Sequence, residues 1–213
     1  MIRAVAAVLL VGAIVAVAPA AYAAVSGPEF TRAGHRLAQC LYTRRKADVI
    51  AALDATTAEQ AARHQTILRT SRACENVTVA TRQVEGASVS APDDILRGML
   101  AEAALRDVAV AADLGPLEAE PGYARNWFPA TGRNAVVDEM AVCMAARHPI
   151  GIRKLLGTAP ESSEELDVIK ALGGVLAPCL PQGATLKANR QSFRAALAEA
   201  FYHRATAPVL ATK

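Results

Sequence analysis

Apolar residues recur at three- and four-residue intervals along most of the chain. Leu37 and Leu41 stand four apart, Ile50 and Leu53 three apart, and Leu96, Met99, Leu100 and Ala103 make one continuous stripe. A period near 3.6 marks helices that bury one face. The spacing predicts helices near 28–44, 46–54, 57–74 and 92–112, then near 134–147, 149–157, 162–178 and 189–205. The start signals agree with it. Thr57-Ala-Glu-Gln60 and Ser162-Ser-Glu-Glu165 are Ser/Thr-x-x-Glu/Gln capping boxes. Pro92 suits a first helical turn, with Ser90 as its cap. Gly86, Gly115, Gly132 and Gly183 punctuate the pattern. The alternation in "VTVATRQVE" (77–85) is that of a short strand, but no partner run exists elsewhere and a loop is the better reading. The expected fold class is all-α.

The helical pattern occurs twice. "CLYTRRKADVIAAL" (40–53) and "CMAARHPIGIRKLL" (143–156) share a Cys, an Arg four residues later and a Leu thirteen residues later. A capping box begins 17 positions before each second Cys. The phrases "RGMLAEA" (97–103) and "RAALAEA" (194–200) follow. Four landmarks in the same order point to an ancestral unit of roughly 90 to 100 residues, duplicated in tandem. The expected architecture is two four-helix units packed into one globular body. Unit one spans 24–113, a joining segment 114–133, and unit two 134–213.

"LRGMLAEAAL" (96–105) and "FRAALAEAFY" (193–202), with the paired cysteines, resemble a group of small exported helical proteins of alphaproteobacterial, sphingomonad-like origin. These carry an "LRxxLAEAxY" ending. The first copy departs from it, with Leu105 where the second has Tyr202. The resemblance covers most of the chain and implies export and a helical fold. The group has no established activity, so it implies no chemistry.

Composition changes the picture at the amino terminus. Arg3 is followed by an apolar run and then by Ala21-Tyr22-Ala23, a small-x-small exit before Ala24. That order is a cleavable secretory signal over residues 1–23. The competing reading is an uncleaved anchor, because the run approaches spanning length; Pro19 and the exit site favour cleavage. No Cys follows the run, which argues against a lipid anchor. Removing 23 of the 213 residues leaves 190, without a stable membrane span and with enough chain for one good core or two small ones. The net charge of +3 is spread along the chain, and "TRRK" (43–46) is its densest basic cluster. No nucleic-acid footprint is present.

All four cysteines, Cys40, Cys74, Cys143 and Cys179, lie after the leader. An even count in an exported chain reads as disulfides, and four cysteines allow three pairings. If a whole unit was duplicated, each copy keeps its own bridge. The expected bonds are Cys40–Cys74 and Cys143–Cys179.

Chemistry-bearing motifs are missing. The sequence contains no Cys-x-x-Cys, no His-Glu-x-x-His, no Gly-rich phosphate loop and no Gly-x-Ser-x-Gly elbow. His35, His64, His148 and His203 do not occupy matching positions in the two units, so neither a shared metal site nor a cofactor is expected. Asn76-Val-Thr78 matches a glycosylation acceptor, relevant only in a eukaryotic secretory pathway. One charged pattern recurs: Arg44 and Arg147 each lie four after the first Cys of a unit, and Glu102 and Glu199 five after the Arg that opens the repeated phrase. A charge set among Ala and Leu needs a partner. This predicts structural ion pairs Arg44–Glu102 and Arg147–Glu199, and leaves Glu165 a capping role only.

The joining segment is rich in Pro and Gly and holds Tyr123, Trp127 and Phe128. It reads either as a plug in the seam between units or as a binding surface. The functional expectation is a periplasmic or secreted, non-enzymatic helical scaffold or binding module. Its partner is an envelope protein or a small ligand. The alternatives are an envelope hydrolase or another enzyme without a recognisable motif, and a periplasmic chaperone. A deep polar pocket holding a Glu and a His would favour the enzyme.

Overall fold

Helix follows helix along the chain, close to where the apolar period places them. The computed structural model describes residues 27–75, 77, 91–117, 125–184, 186 and 189–207. The leader at 1–23, most of the 77–85 segment, and Asn76, Thr78, Gly86, Ser90 and Tyr123 lie outside them. The elements are α1 (Gly27–Arg44), α2 (Lys46–Leu53), α3 (Ala58–Arg69), α4 (Asp93–Leu105), a single turn α5 (Val110–Asp113), α6 (Ala135–Arg147), α7 (Pro149–Gly157), α8 (Ser163–Gly174) and α9 (Arg190–Thr206). Short 3₁₀ turns occupy Arg72–Cys74, Phe128–Ala130 and Ala177–Cys179. No strand occurs among the described residues.

Local chemistry sets the helix ends. Thr57 Oγ1 accepts from Gln60 N at 3.2 Å and Ser162 Oγ from Glu165 N at 3.1 Å. The reciprocal arm of each box reaches one residue further back than expected. Gln60 Oε1 accepts from Thr56 N at 3.0 Å, and Glu165 Oε2 from Glu161 N at 2.9 Å. Three helices are shorter than expected. α3 stops at Arg69, where Ser71 caps a new 3₁₀ turn through Ala73 N. α8 stops at Gly174, because Pro178 cannot donate to the helical ladder and its ring would crowd the carbonyl of residue 174. α4 ends at Leu105 rather than at 112, and Asp107 beyond it reaches Lys46 Nζ at 2.8 Å.

The α1–α2 and α6–α7 junctions are single-residue kinks of nearly the same shape. Arg45 has φ −135° and ψ 42°; His148 has φ −128° and ψ 45°. Two helices are buried on all sides, α4 over Ile95–Ala104 and α9 over Phe193–Tyr202. A helix apolar all round belongs in a core. These two pack closely on each other, and a Cβ on Gly98 would overlap the Cα and Cβ of Ala195. Buried side chains gather in two clusters flanking this crossing. One includes Leu41, Val49, Leu53, Leu68 and Leu100; the other includes Met140, Met144, Ile152, Leu155 and Leu197. No helix among the described residues is long and apolar enough to cross a membrane.

The structure contains the disulfides Cys40–Cys74 and Cys143–Cys179, with Cα–Cα distances of 6.0 and 5.5 Å. Each ties a helix, α1 or α6, to the 3₁₀ turn that follows the next helix pair. They span 34 and 36 residues. In the chain-entropy account each contributes about 3–4 kcal/mol by restricting the unfolded chain. Cys143→Ser with Cys179→Ser should therefore lower the unfolding free energy by about that amount. Hydrogen exchange should rise in α6–α8 before α1–α3. Equal loosening of both halves would contradict this local action.

Candidate functional site

Glu102 and Glu199 are the natural starting point, since each is a buried carboxylate on a buried helix. Five residues advance a helix by about 7.5 Å and about 140° around its axis. An Arg and a Glu five apart therefore address different neighbours, not each other. At the α4–α9 crossing the result is reciprocal. Arg97 of α4 donates to Glu199 Oε1 through Nε at 2.9 Å and Nη2 at 2.5 Å. Arg194 of α9 donates to Glu102 through Nε at 2.8 Å and Nη2 at 2.7 Å.

The same two guanidinium groups close the ends of other helices. Arg97 also donates to the carbonyls of Ala52 and Leu53 at the end of α2. Arg194 donates to those of Leu155, Leu156 and Thr158 at the end of α7. The last carbonyls of a helix have no intrahelical donor and carry partial negative charge, so a buried cation there satisfies both needs. The expected pairs Arg44–Glu102 and Arg147–Glu199 do not form. Arg44 and Arg147 are exposed at the last residues of α1 and α6. The buried carboxylates take the guanidinium groups that the crossing helix delivers.

The two ends of the crossing carry different further partners. On one side Arg133 donates from Nη2 to Glu199 Oε2 at 2.5 Å and from Nε to Asp138 Oδ1 at 2.8 Å. Thr131 Oγ1 donates to Asp138 Oδ2 at 2.8 Å. Burial disfavours the Glu199 anion, yet Arg133 and Arg97 hold its carboxyl well below the usual carboxylate range. Asp138 is pushed up instead, because burial outweighs Arg133.

On the other side Glu165 is not merely a cap. It is buried, accepting from Arg194 Nη1 at 2.8 Å and Arg190 Nε at 2.5 Å. Glu161, at φ 64°, accepts from Gln191 Nε2 at 2.8 Å. His35 Nδ1 lies 3.5 Å from Glu102 Oε2. Burial lowers the His35 pKa below its ordinary 6.5, against the pull of Glu102 and Glu165 and with the push of Arg194 and Arg106.

That shift has a definite sign. The unfolded chain takes up a proton at His35 near pH 6.5, and the folded chain only at lower pH. Stability is therefore full above pH 6.5 and falls as the pH drops towards the folded value. Urea midpoints at pH 7.5 and 5.5 should differ more for wild type than for His35→Gln. An equal difference would remove His35 as the cause.

His35, Glu102 and Glu165 thus form the polar pocket with a Glu and a His that an enzyme would need. Its volume is about 10 Å³, room for about one water molecule and no substrate. Glu102 also borders a shallow hollow of about 330 Å³, with Leu105, Arg106, Val108, Arg153 and Phe201, but Arg194 engages both its oxygens. A larger groove of about 690 Å³ lies between α7 and α8, apart from the buried charges.

Trp127 does not belong to an exposed binding surface. It is 2 % exposed, stacked on His203 with centroids 4.2 Å apart, and edge-on to half-buried Phe128. Its area is spent in the core beside α6 and α9. Tyr123 lies outside the described residues. Trp127 fluorescence should accordingly be blue-shifted and poorly quenched by iodide. A red-shifted, readily quenched signal would contradict this packing.

Sequence reasoning missed Arg97 and Arg194 as the partners, although they open the repeated phrase it singled out. It also missed Arg133, Asp138 and Arg190, which have no local signal: Arg133 sits in a segment read only for its aromatics. Comparison with known proteins finds no match to a family model, a curated protein or a solved structure.

Proposed function

We propose that this chain is an exported, periplasmic binding module, a non-enzymatic helical scaffold that takes its partner on the surface. The observation that carries the reading is the use made of the interior charges. Glu102, Glu165, Glu199 and Asp138 each face at least one guanidinium group that also binds another element. Among the described residues, the pocket bounded by His35, Glu102 and Glu165 is too small for a substrate, and Arg194 engages both Glu102 oxygens beside the neighbouring hollow. Interior polar chemistry here joins helices, and a larger groove lies outside it, between α7 and α8.

We further propose that the scaffold is two tandem copies of one four-helix unit. The matched kinks at Arg45 and His148, the two capping boxes, the two bridges and the reciprocal Arg–Glu pairs support this. Two disulfides favour an oxidising compartment and agree with a leader cleaved before Ala24.

Cell fractionation with intact-mass measurement tests export. The expected product starts at Ala24, carries both bridges and is periplasmic; a cytoplasmic product retaining residues 1–23 would overturn it. Binding is separated from catalysis by Glu102→Gln. Retention of an envelope component unchanged by this variant supports the module, and turnover abolished by it overturns the module.

A further inference from the structure

The α2–α3 and α7–α8 pairs can be aligned on Cys40 with Cys143 and on the caps Thr57 with Ser162. Of these, α2 packs on α4 and α7 packs on α9. Their outer faces nevertheless differ, with charge gained in the second pair at Lys154 and Asp167, where the first has Ala51 and Ala62, and apolar surface gained beside it. Ile150 stands where the first pair has Ala47, Gly151 where it has Asp48, and Val175 where it has Thr70. In the first pair Asp48 ties back to Arg45 at 2.7 Å. In the second, a Cβ on Gly151 would come within 2.7 Å of Leu172 Cδ2, so the glycine lets Leu172 settle against α7 as an apolar floor.

The groove above this floor has apolar rims. Ile150 is 62 % exposed and Val175 40 % exposed, both lining the same opening. Single exposed apolar residues need no explanation, but a contiguous apolar groove does. Both signs of charge line it as well: Arg147 and Lys154 on the α7 side, Glu164 and Asp167 on the α8 side. Among the described residues Arg147, Lys154 and Glu164 have no hydrogen-bond or ion-pair partner, and Asp167 meets only exposed Lys170 at 3.4 Å. The interior of this protein matches its charges closely. Here they face solvent.

We propose that the α7–α8 groove binds a short peptide segment, with apolar side chains on the Leu172 floor between Ile150 and Val175. An acidic side chain of the segment faces Arg147 and Lys154, and a basic one faces Glu164 and Asp167. The volume of about 690 Å³ lies within the range of small-ligand sites. A purely anionic amphiphile would meet Glu164 and Asp167 as like charges, whereas a segment bearing both signs answers all four groups. The proposal rests on the binding-module reading and adds the place and the ligand class.

The test uses the oxidised mature protein and blocked hexapeptides with four randomised apolar positions between a terminal Glu and a terminal Lys. Libraries flanked by two Glu or two Lys serve as comparisons. The mixed library should be retained best, and Ile150→Glu, an exposed change, should weaken retention about tenfold or more by setting an unpaired charge against apolar side chains. Lys154→Glu combined with Glu164→Lys should remove the preference for the mixed flank in its original orientation.

Equal retention by wild type and Ile150→Glu, or none by either, overturns the proposal. Retention lost only with Val108→Glu would move the site to the hollow beside Glu102, overturning this groove while leaving the module. Self-association abolished by Ile150→Glu, without peptide retention, would make a second copy the occupant and also overturn it. Turnover dependent on Glu102, by contrast, defeats the module itself.

Discussion

Glu199→Ala should destabilise the protein by about 3–5 kcal/mol, the scale expected when one partner of a buried ion pair is removed. The loss comes mainly from what remains. Arg97 and Arg133 both point at the Glu199 carboxylate, whose side chain is buried, and both are buried themselves. Without it Arg97 keeps only the carbonyls of Ala52 and Leu53, and Arg133 keeps Asp138 and the carbonyl of Asp94. Glu164→Ala on the exposed face of α8 should change stability by no more than about 0.5 kcal/mol.

Arg97→Met combined with Glu199→Leu should cost less than the sum of the single changes, because it removes one of the two stranded charges along with its partner and leaves Arg133 to Asp138. Urea unfolding of the four proteins measures this. If Glu199→Ala unfolds within about 1 kcal/mol of wild type, the carboxylate behaves as a solvated one. Acid should act in the same direction as the mutation. The folded pKa of Glu199 lies below its unfolded value of 4.5, so its contribution is full above that pH and is lost as the pH falls through the folded value. Asp138 works oppositely, since its raised pKa favours the fold on the acid side, and it softens the transition.

Gly98→Ala is the second large effect, with an expected net loss of at least about 2 kcal/mol, within the cost of overpacking a core. Two terms compete. Alanine favours an isolated helix over glycine by about 1 kcal/mol. Against this, the new Cβ would overlap the Cα and Cβ of Ala195 and come within 2.6 Å of its carbonyl oxygen. Backbone cannot rotate aside as a side-chain tip can, so α4 and α9 must separate. That movement also stretches both reciprocal Arg–Glu pairs. Adding Ala195→Gly should restore only part of the loss, because the Cα and carbonyl remain. A Gly98→Ala protein more stable than wild type would show that helix propensity wins and that the crossing is looser than this.

The helices and their starts were legible because each depends on residues within one turn: the apolar period, Thr57 with Gln60, Ser162 with Glu165. The ends of α3 and α4 were less legible. Nothing local forbids continuing past Arg69 or Leu105, and the turns there serve Cys74 and the Lys46–Asp107 contact. The disulfide pairing could be reached without coordinates because the chain repeats its cysteine spacing, which turns a three-way choice into one.

Charge partnership was another matter. Glu102 and Glu199 were visible as charges that needed partners, but Arg44 and Arg147, the Arg that recurs after the first Cys of each unit, proved exposed. Arg194 and Arg97 lie 92 and 102 residues away from their carboxylates. Only the angle and closeness of the α4–α9 crossing, set where Gly98 meets Ala195, bring them into reach. Trp127 likewise gave no local sign of whether it faced water or His203. Backbone conformation follows from near neighbours, and the covalent bridges from a repeated spacing. Which buried charge meets which, and which apolar side chains stay uncovered along α7 and α8, follow from how whole helices stack.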